Sequence, residues 1–178
     1  MIRYATIFAC CLLALTGLAQ AQNSTGTTTL SVAVGPEAAL TVTTGTTTLA
    51  TASTTFGAPF TGNTSLLYFI RTTKTGGTGT LTLKITSDFA GTGGPSVTTP
   101  PSTGDALTYA CTVSTPGTAC TGSQTASTSA ATPLGTWGAA ANSIKAGNAA
   151  SVAWSLTDDP VYATGTYTAT ATFTIAST

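Results

Sequence analysis

From Gly165 to Ile175 the chain reads Gly-Thr-Tyr-Thr-Ala-Thr-Ala-Thr-Phe-Thr-Ile, an unbroken alternation of threonine with apolar residues. Successive side chains of an extended strand point to opposite faces. Tyr167, Ala169, Ala171, Phe173 and Ile175 therefore share one face, and Thr166, Thr168, Thr170, Thr172 and Thr174 the other. This period of two does not fit a helix and predicts a half-buried antiparallel strand with a hydroxyl outer face. A second run of this kind, Thr29-Leu30-Ser31-Val32-Ala33-Val34, lies near the other end of the chain. Two alternating strands, one near each terminus, favour assembly over catalysis.

The first 21 residues read as a secretory leader: Arg3 supplies a positive start, Thr6 to Leu18 is mostly apolar, and Ala19-Gln20-Ala21 is a small-x-small cleavage site. Cleavage is expected before Gln22. The apolar part is too short to span a bilayer stably, and nothing later in the chain is a candidate span. Loss of Arg3 leaves four basic against five acidic side chains, so the processed chain is expected to carry a net charge near −1. Nothing in it can track a phosphate backbone, which excludes nucleic acid as a partner. With so little charge, solubility falls to hydroxyls, chiefly the 45 threonines. Weak self-repulsion suits packing against copies of the same chain.

Gly, Pro and Asn recur at short spacing, and the runs between them are rich in β-branched and aromatic residues. Strands are expected over 27–34, 38–43, 46–52, 64–73, 79–87, 106–113, 150–157 and 163–176. Many short strands with turn punctuation predict an all-β sandwich or barrel. Leu66-Leu67-Tyr68-Phe69-Ile70 is the most apolar stretch and reads as a central strand buried on both faces. Gly91 to Asp105 and Thr121 to Thr132 read as loops. No linker or internal repeat is visible, so the expected organisation is a leader 1–21, an N-terminal extension 22–36 and one sandwich domain 37–178.

Cys111 and Cys120 are the two cysteines left after cleavage, and an even count in an exported chain reads as one disulfide. Ser114-Thr115-Pro116-Gly117 between them is a turn sequence, so the bridge is expected to pin a hairpin. The chain has no histidine, which removes metal triads and Ser-His or Cys-His pairs. No catalytic residue, metal site or cofactor is expected. Asp158 and Asp159 are adjacent and read as turn residues before Pro160; Glu37, Asp88 and Asp105 read as isolated. A Lys-Asn isopeptide from Lys74, Lys84 or Lys145 would need a buried carboxylate beside it.

The leader, the early strand-like run, the disulfide, and the ending Gly165-Thr166-Tyr167 through Phe173-Thr174-Ile175 resemble those of bacterial fimbrial subunits, of the spore coat protein U-like and chaperone–usher pilin types. The resemblance implies an immunoglobulin-like antiparallel β-sandwich lacking one strand, with the gap filled by a neighbour's N-terminal extension. On this chain the donor positions are Leu30, Val32 and Val34, with Thr28 and Gly26 continuing the alternation. Tyr167, Phe173 and Ile175 are the core positions of the closing strand. The implied partners are copies of the same chain, a periplasmic chaperone and an outer-membrane usher, and the implied location is an extracellular, cell-surface filament. The chain departs from the pattern in one respect: enough strands are expected after residue 36 to complete a sandwich alone. Two readings stay open: a filament subunit, and a secreted monomeric β-sandwich surface-binding module, carbohydrate-binding or adhesin, with Tyr68, Tyr109, Trp137 or Tyr162 as a stacking platform.

Overall fold

The structure is a computed structural model that describes residues 25–51 and 53–178. The expected leader lies outside the described residues. The chain divides into a unit up to Ala33 and a compact unit from Val34 to Thr178. Thr25 to Pro36 belong to no strand. The run 27–34 thus has a strand's pattern without a ladder, because alternation makes a strand only where a second strand supplies hydrogen bonds.

The strands are β1 (Glu37–Val42), β2 (Phe60–Arg71), β3 (Gly79–Ser87), β4 (Thr108–Val113), β5 (Thr118–Ala119), β6 (Gln124–Thr125), β7 (Thr132–Trp137), β8 (Asn148–Leu156) and β9 (Thr170–Ser177). They form two antiparallel sheets packed as a sandwich, one ordered β1-β2-β8-β4-β6 and the other β5-β7-β3-β9. The run β1-β2-β8-β4 repeats the A-B-E-D order of an immunoglobulin sheet, and β3-β9 repeats the C-F pair of its partner. The all-β, immunoglobulin-like expectation holds. The position beside β9 and away from β3, where an immunoglobulin domain has its last strand, is held by no strand among the described residues.

Alternation dictates the core. Leu66, Tyr68 and Ile70 of β2, Leu81, Leu83 and Ile85 of β3, and Val152, Trp154 and Leu156 of β8 point inward and are buried. Leu67 and Phe69 of β2 are only half-buried, so the expectation of burial on both faces fails. In a two-layer sandwich the outer face has no third layer to cover it. A loop alone lies over this pair: a Cβ on Gly147 would come 2.8 Å from the Phe69 ring.

Of the paired aromatics, Tyr68, Tyr109 and Trp154 carry their polar tips to partners, as buried Tyr and Trp do, whereas the buried Trp137 Nε1 has none. Tyr68 packs edge-on to Trp137 with ring centroids 4.8 Å apart. The Trp154 indole N–H donates to Thr64 Oγ1 at 2.8 Å. Tyr109 Oη donates to the Pro133 carbonyl at 2.8 Å.

The expected strand 46–52 reduces to a single bridge, Ala50 with Thr61. This segment presses so close to β2 that a Cβ at Gly62 would meet the Thr48 carbonyl at 2.7 Å.

Candidate functional site

The two edge strands β1 and β9 border one long side of the sandwich. Each pairs on one side only, β1 with β2 and β9 with β3. Their Cα atoms approach within 8 Å across the gap between the sheets. Ala38 and Leu40 of β1 and Ala171, Phe173 and Ile175 of β9 pack against the core, yet all remain only half-buried. Their register partners are covered: Ile85 opposite Ala171, Leu83 opposite Phe173 and Leu81 opposite Ile175 are all buried. The core is therefore thinnest along this edge, as a groove floored by apolar side chains and walled by unpaired backbone. Such an edge invites another strand. Outward on β9, Thr170, Thr172 and Thr174 are exposed as expected.

Among the exposed large hydrophobics, the donor-strand candidates Leu30 at 91% and Val32 at 86% are the most open, while the third, Val34 at 64%, is matched by Phe56 and Val161. These are high values for aliphatic side chains, and the three alternate along the segment.

The closing strand begins at Thr170, not near Ala163 as its alternation predicts. The β3–β9 ladder shifts register between Ile85 and Ser87. Beyond it Asp88 gathers the loop, accepting the amide N–H groups of Phe89, Val97 and Thr98 and the Ser96 hydroxyl. One backbone bond, from the Ala90 N–H to the Thr168 carbonyl at 3.0 Å, still ties this loop to the segment before β9. Burial works against the Asp88 charge, but the bonds from Val97, Thr98, Ser96 and Phe89 outweigh it and hold the carboxyl at about 2.

Tyr167 therefore sits before β9 rather than in its ladder. Its Oη donates to the Ala163 carbonyl, four residues back, at 2.8 Å. A tyrosine bonded back to upstream backbone at this corner is a hallmark of immunoglobulin-like domains. The ring lies flat against Gly94, where a Cβ would overlap Tyr167 Cε1, so the glycine-rich loop is the seat of this side chain.

Cys111 and Cys120 form the expected disulfide, with Cα atoms 5.6 Å apart. It does not pin a hairpin within one sheet. Cys111 lies in β4 and Cys120 directly follows β5, and these strands belong to different sheets. The turn at Ser114 to Gly117 carries the chain across the sandwich, and the bridge ties the sheets together on the side away from β1 and β9.

Of the expected stacking platform, Tyr68, Tyr109 and Trp137 are core residues and present no ring to solvent. Tyr162 is half-buried. Lys74 and Lys145 are exposed, and no lysine among the described residues forms a salt bridge. Asp105, read as isolated, is buried beside Asp159; burial and then the Asp159 charge push its carboxyl up. Asp159 is held down by the Val161 amide and the Ser102 hydroxyl. Tyr162 is raised by burial and by Asp105. Among the described residues no group of three or more His, Cys, Asp or Glu is placed to hold a metal ion.

No family model matches this chain, and no curated protein or solved structure matches it.

Proposed function

We propose that this protein is a structural subunit of an extracellular filament, and that the segment Thr27–Val34 of one copy adds as a strand to the free edge of β9 in the next. The observation that carries this reading is the half-covered row Ala171, Phe173 and Ile175 on an edge strand that lacks its outer neighbour. The segment Thr27–Val34 suits that vacancy in pattern, in its exposed apolar face and in length. Extended, it reaches roughly 26 Å, as long as β9 with its 8 residues.

Burying Leu30, Val32 and Val34 contributes about 1.5–3 kcal/mol each before ordering costs. Ordering the segment costs on the order of 1–2 kcal/mol per residue of backbone, so the side chains alone do not carry the junction. Backbone hydrogen bonds to β9 and the covering of Phe173 and Ile175 supply the remainder. Before assembly the same groove calls for a temporary cover, the task of the periplasmic chaperone and outer-membrane usher implied by the fimbrial resemblance.

The test is a chain lacking residues 22–35. Supplied with a peptide of residues 24–35, it is expected to stay folded, bind the peptide and form no fibres in electron micrographs. Fibres from the truncated chain alone would overturn the reading. So would native material that is only monomeric, with 27–34 protected from hydrogen exchange within its own chain.

A further inference from the structure

The described residues hold few charges, and those charges are sorted by position along the strands. β2 runs from Phe60 to Arg71, roughly 37 Å at a strand's rise per residue. At its Arg71 end lie Arg71 itself, Lys74 in the following loop, and Lys145, just before Asn148, which pairs with Tyr68. Glu37 bonds Arg71 at 2.8 Å and neutralises that cation, and neither Lys74 nor Lys145 forms a salt bridge among the described residues. At the Phe60 end lie Asp158 and Asp159, just past Leu156, the register partner of Phe60. Asp105 joins them, three residues before Thr108, which pairs with Ser155. Asp88 is at this end too, but its carboxylate is consumed by its own loop. The remaining cation, Lys84, lies within β3.

The basic end also has room for a partner. Two shallow pockets at the basic end share Arg71 and Asn142; one is lined by Lys74 and the other by Lys145. At the acidic end Asp105 is buried, and the half-buried Asp158 and Asp159 are the carboxylates left within reach of a second copy. The ends lie several Debye lengths apart, so neither screens the other within one molecule.

We infer that the basic end around Lys74 and Lys145 of one copy docks on the acidic end around Asp158 and Asp159 of a second copy, head to tail. This inference rests on the filament reading above and gives the filament its polarity. Val34 to Glu37, where the chain enters the sandwich, lies at the basic end: Arg71 Nε donates to the Gly35 carbonyl at 2.7 Å. The exposed extension therefore leaves from the end that faces the next copy, and charge brings the two together before any strand pairs. Contact between unlike ends is heterologous and does not close on itself, which yields an open filament rather than a dimer.

The test uses the full secreted chain and a zero-length carbodiimide cross-linker, with mass spectrometry of the linked peptides. Links from Lys74 or Lys145 of one copy to Asp158 or Asp159 of another are expected, weakening at high salt. Charge reversal at the basic end, K74E with K145E, or cancellation of the acidic end's charge by D158K, is expected to slow assembly about tenfold at low salt. D158K is chosen because the Asp158 side chain makes no hydrogen bond in the structure, so the fold does not depend on it. In a mixture of the K74E/K145E chain with the D158K chain, the native basic end of the second meets the native acidic end of the first, so the mixture should assemble faster than the K74E/K145E chain alone. Unchanged assembly in the single-end variants, or no Lys–Asp links between copies, overturns the inference. A full chain carrying Leu30→Ser and Val32→Ser separates the two proposals. Loss of stable fibres with the end-to-end links retained supports both, whereas normal fibres from that variant sink strand donation while the charge-reversal results still judge the docking.

Discussion

Leu83 and Phe173 are register partners across β3 and β9, and Leu83 is fully buried while Phe173 is only half-covered. Two neighbours on the same inner face thus have different surroundings, because only one has a strand on each side. Replacing Phe173 by Ala should therefore cost the single subunit less than the ~3–5 kcal/mol of a fully buried Phe. The loss should be larger in the assembled state, where an added strand completes the cover. Melting temperatures of free subunit and filament, each with and without Phe173→Ala, check this. An equal drop in both would mean that nothing covers Phe173 on assembly.

Changing both Cys111 and Cys120 to Ser should destabilise the sandwich by about 2–3 kcal/mol, the loop-closure value for so short a loop. The β-rich circular dichroism spectrum should persist at room temperature. Urea denaturation of the two forms measures the difference, and an unchanged midpoint would show that the tie between the sheets contributes nothing.

At the Tyr167 corner, Tyr167→Phe removes the bond to the Ala163 carbonyl and should cost about 1 kcal/mol. Gly94→Ala should cost more, because its methyl group overlaps the ring and must displace it together with the hydroxyl. Thermal unfolding of both variants tests the ranking. The opposite order would mean that the hydroxyl, not the seat of the ring, holds the corner.

Asp88 gives a pH signature. Its carboxyl sits at about 2 in the folded chain against 3.8 in an ordinary aspartate. The folded value is depressed, so the stability it contributes is present above pH 3.8 and is lost as pH falls through about 2. Asp88→Asn should be less stable than the native chain at pH 6, on the order of 1–2 kcal/mol after allowance for solvent screening. The two should converge near pH 2. Denaturation midpoints across that range read this out, and a difference that persists at pH 2 would assign the effect to shape rather than charge.

The strands that alternate cleanly were legible in the sequence: β3 occupies 79–87 as its Leu-Thr-Leu-Lys-Ile pattern predicts, and β8 lies within two residues of expectation. β5 and β6 are too short, at 2 residues each, for any period to show. β7 contains Gly135, which reads as punctuation, and Pro133, which is tolerated beside the point where the ladder with β3 shifts register. The site was half legible. Alternation told which face of the closing strand turns inward, but not whether that face would be covered, since coverage depends on which strand lies alongside. The pairing of Asp105 with Asp159 had no signal at all, because the residues are far apart in sequence and meet only through the β4–β8 ladder.

The disulfide joins the sheets along the β4–β5 side, and the groove runs along the β1–β9 side. A body bound along one margin and free along the other behaves as a book does. Its softest deformation is a rotation of the covers about the spine, and the covalent bond keeps that rotation from becoming a slide of one leaf past the other. The width of the free margin can adjust to side chains of different bulk without loss of alignment at the spine, which gives a rigid two-layer protein one compliant direction.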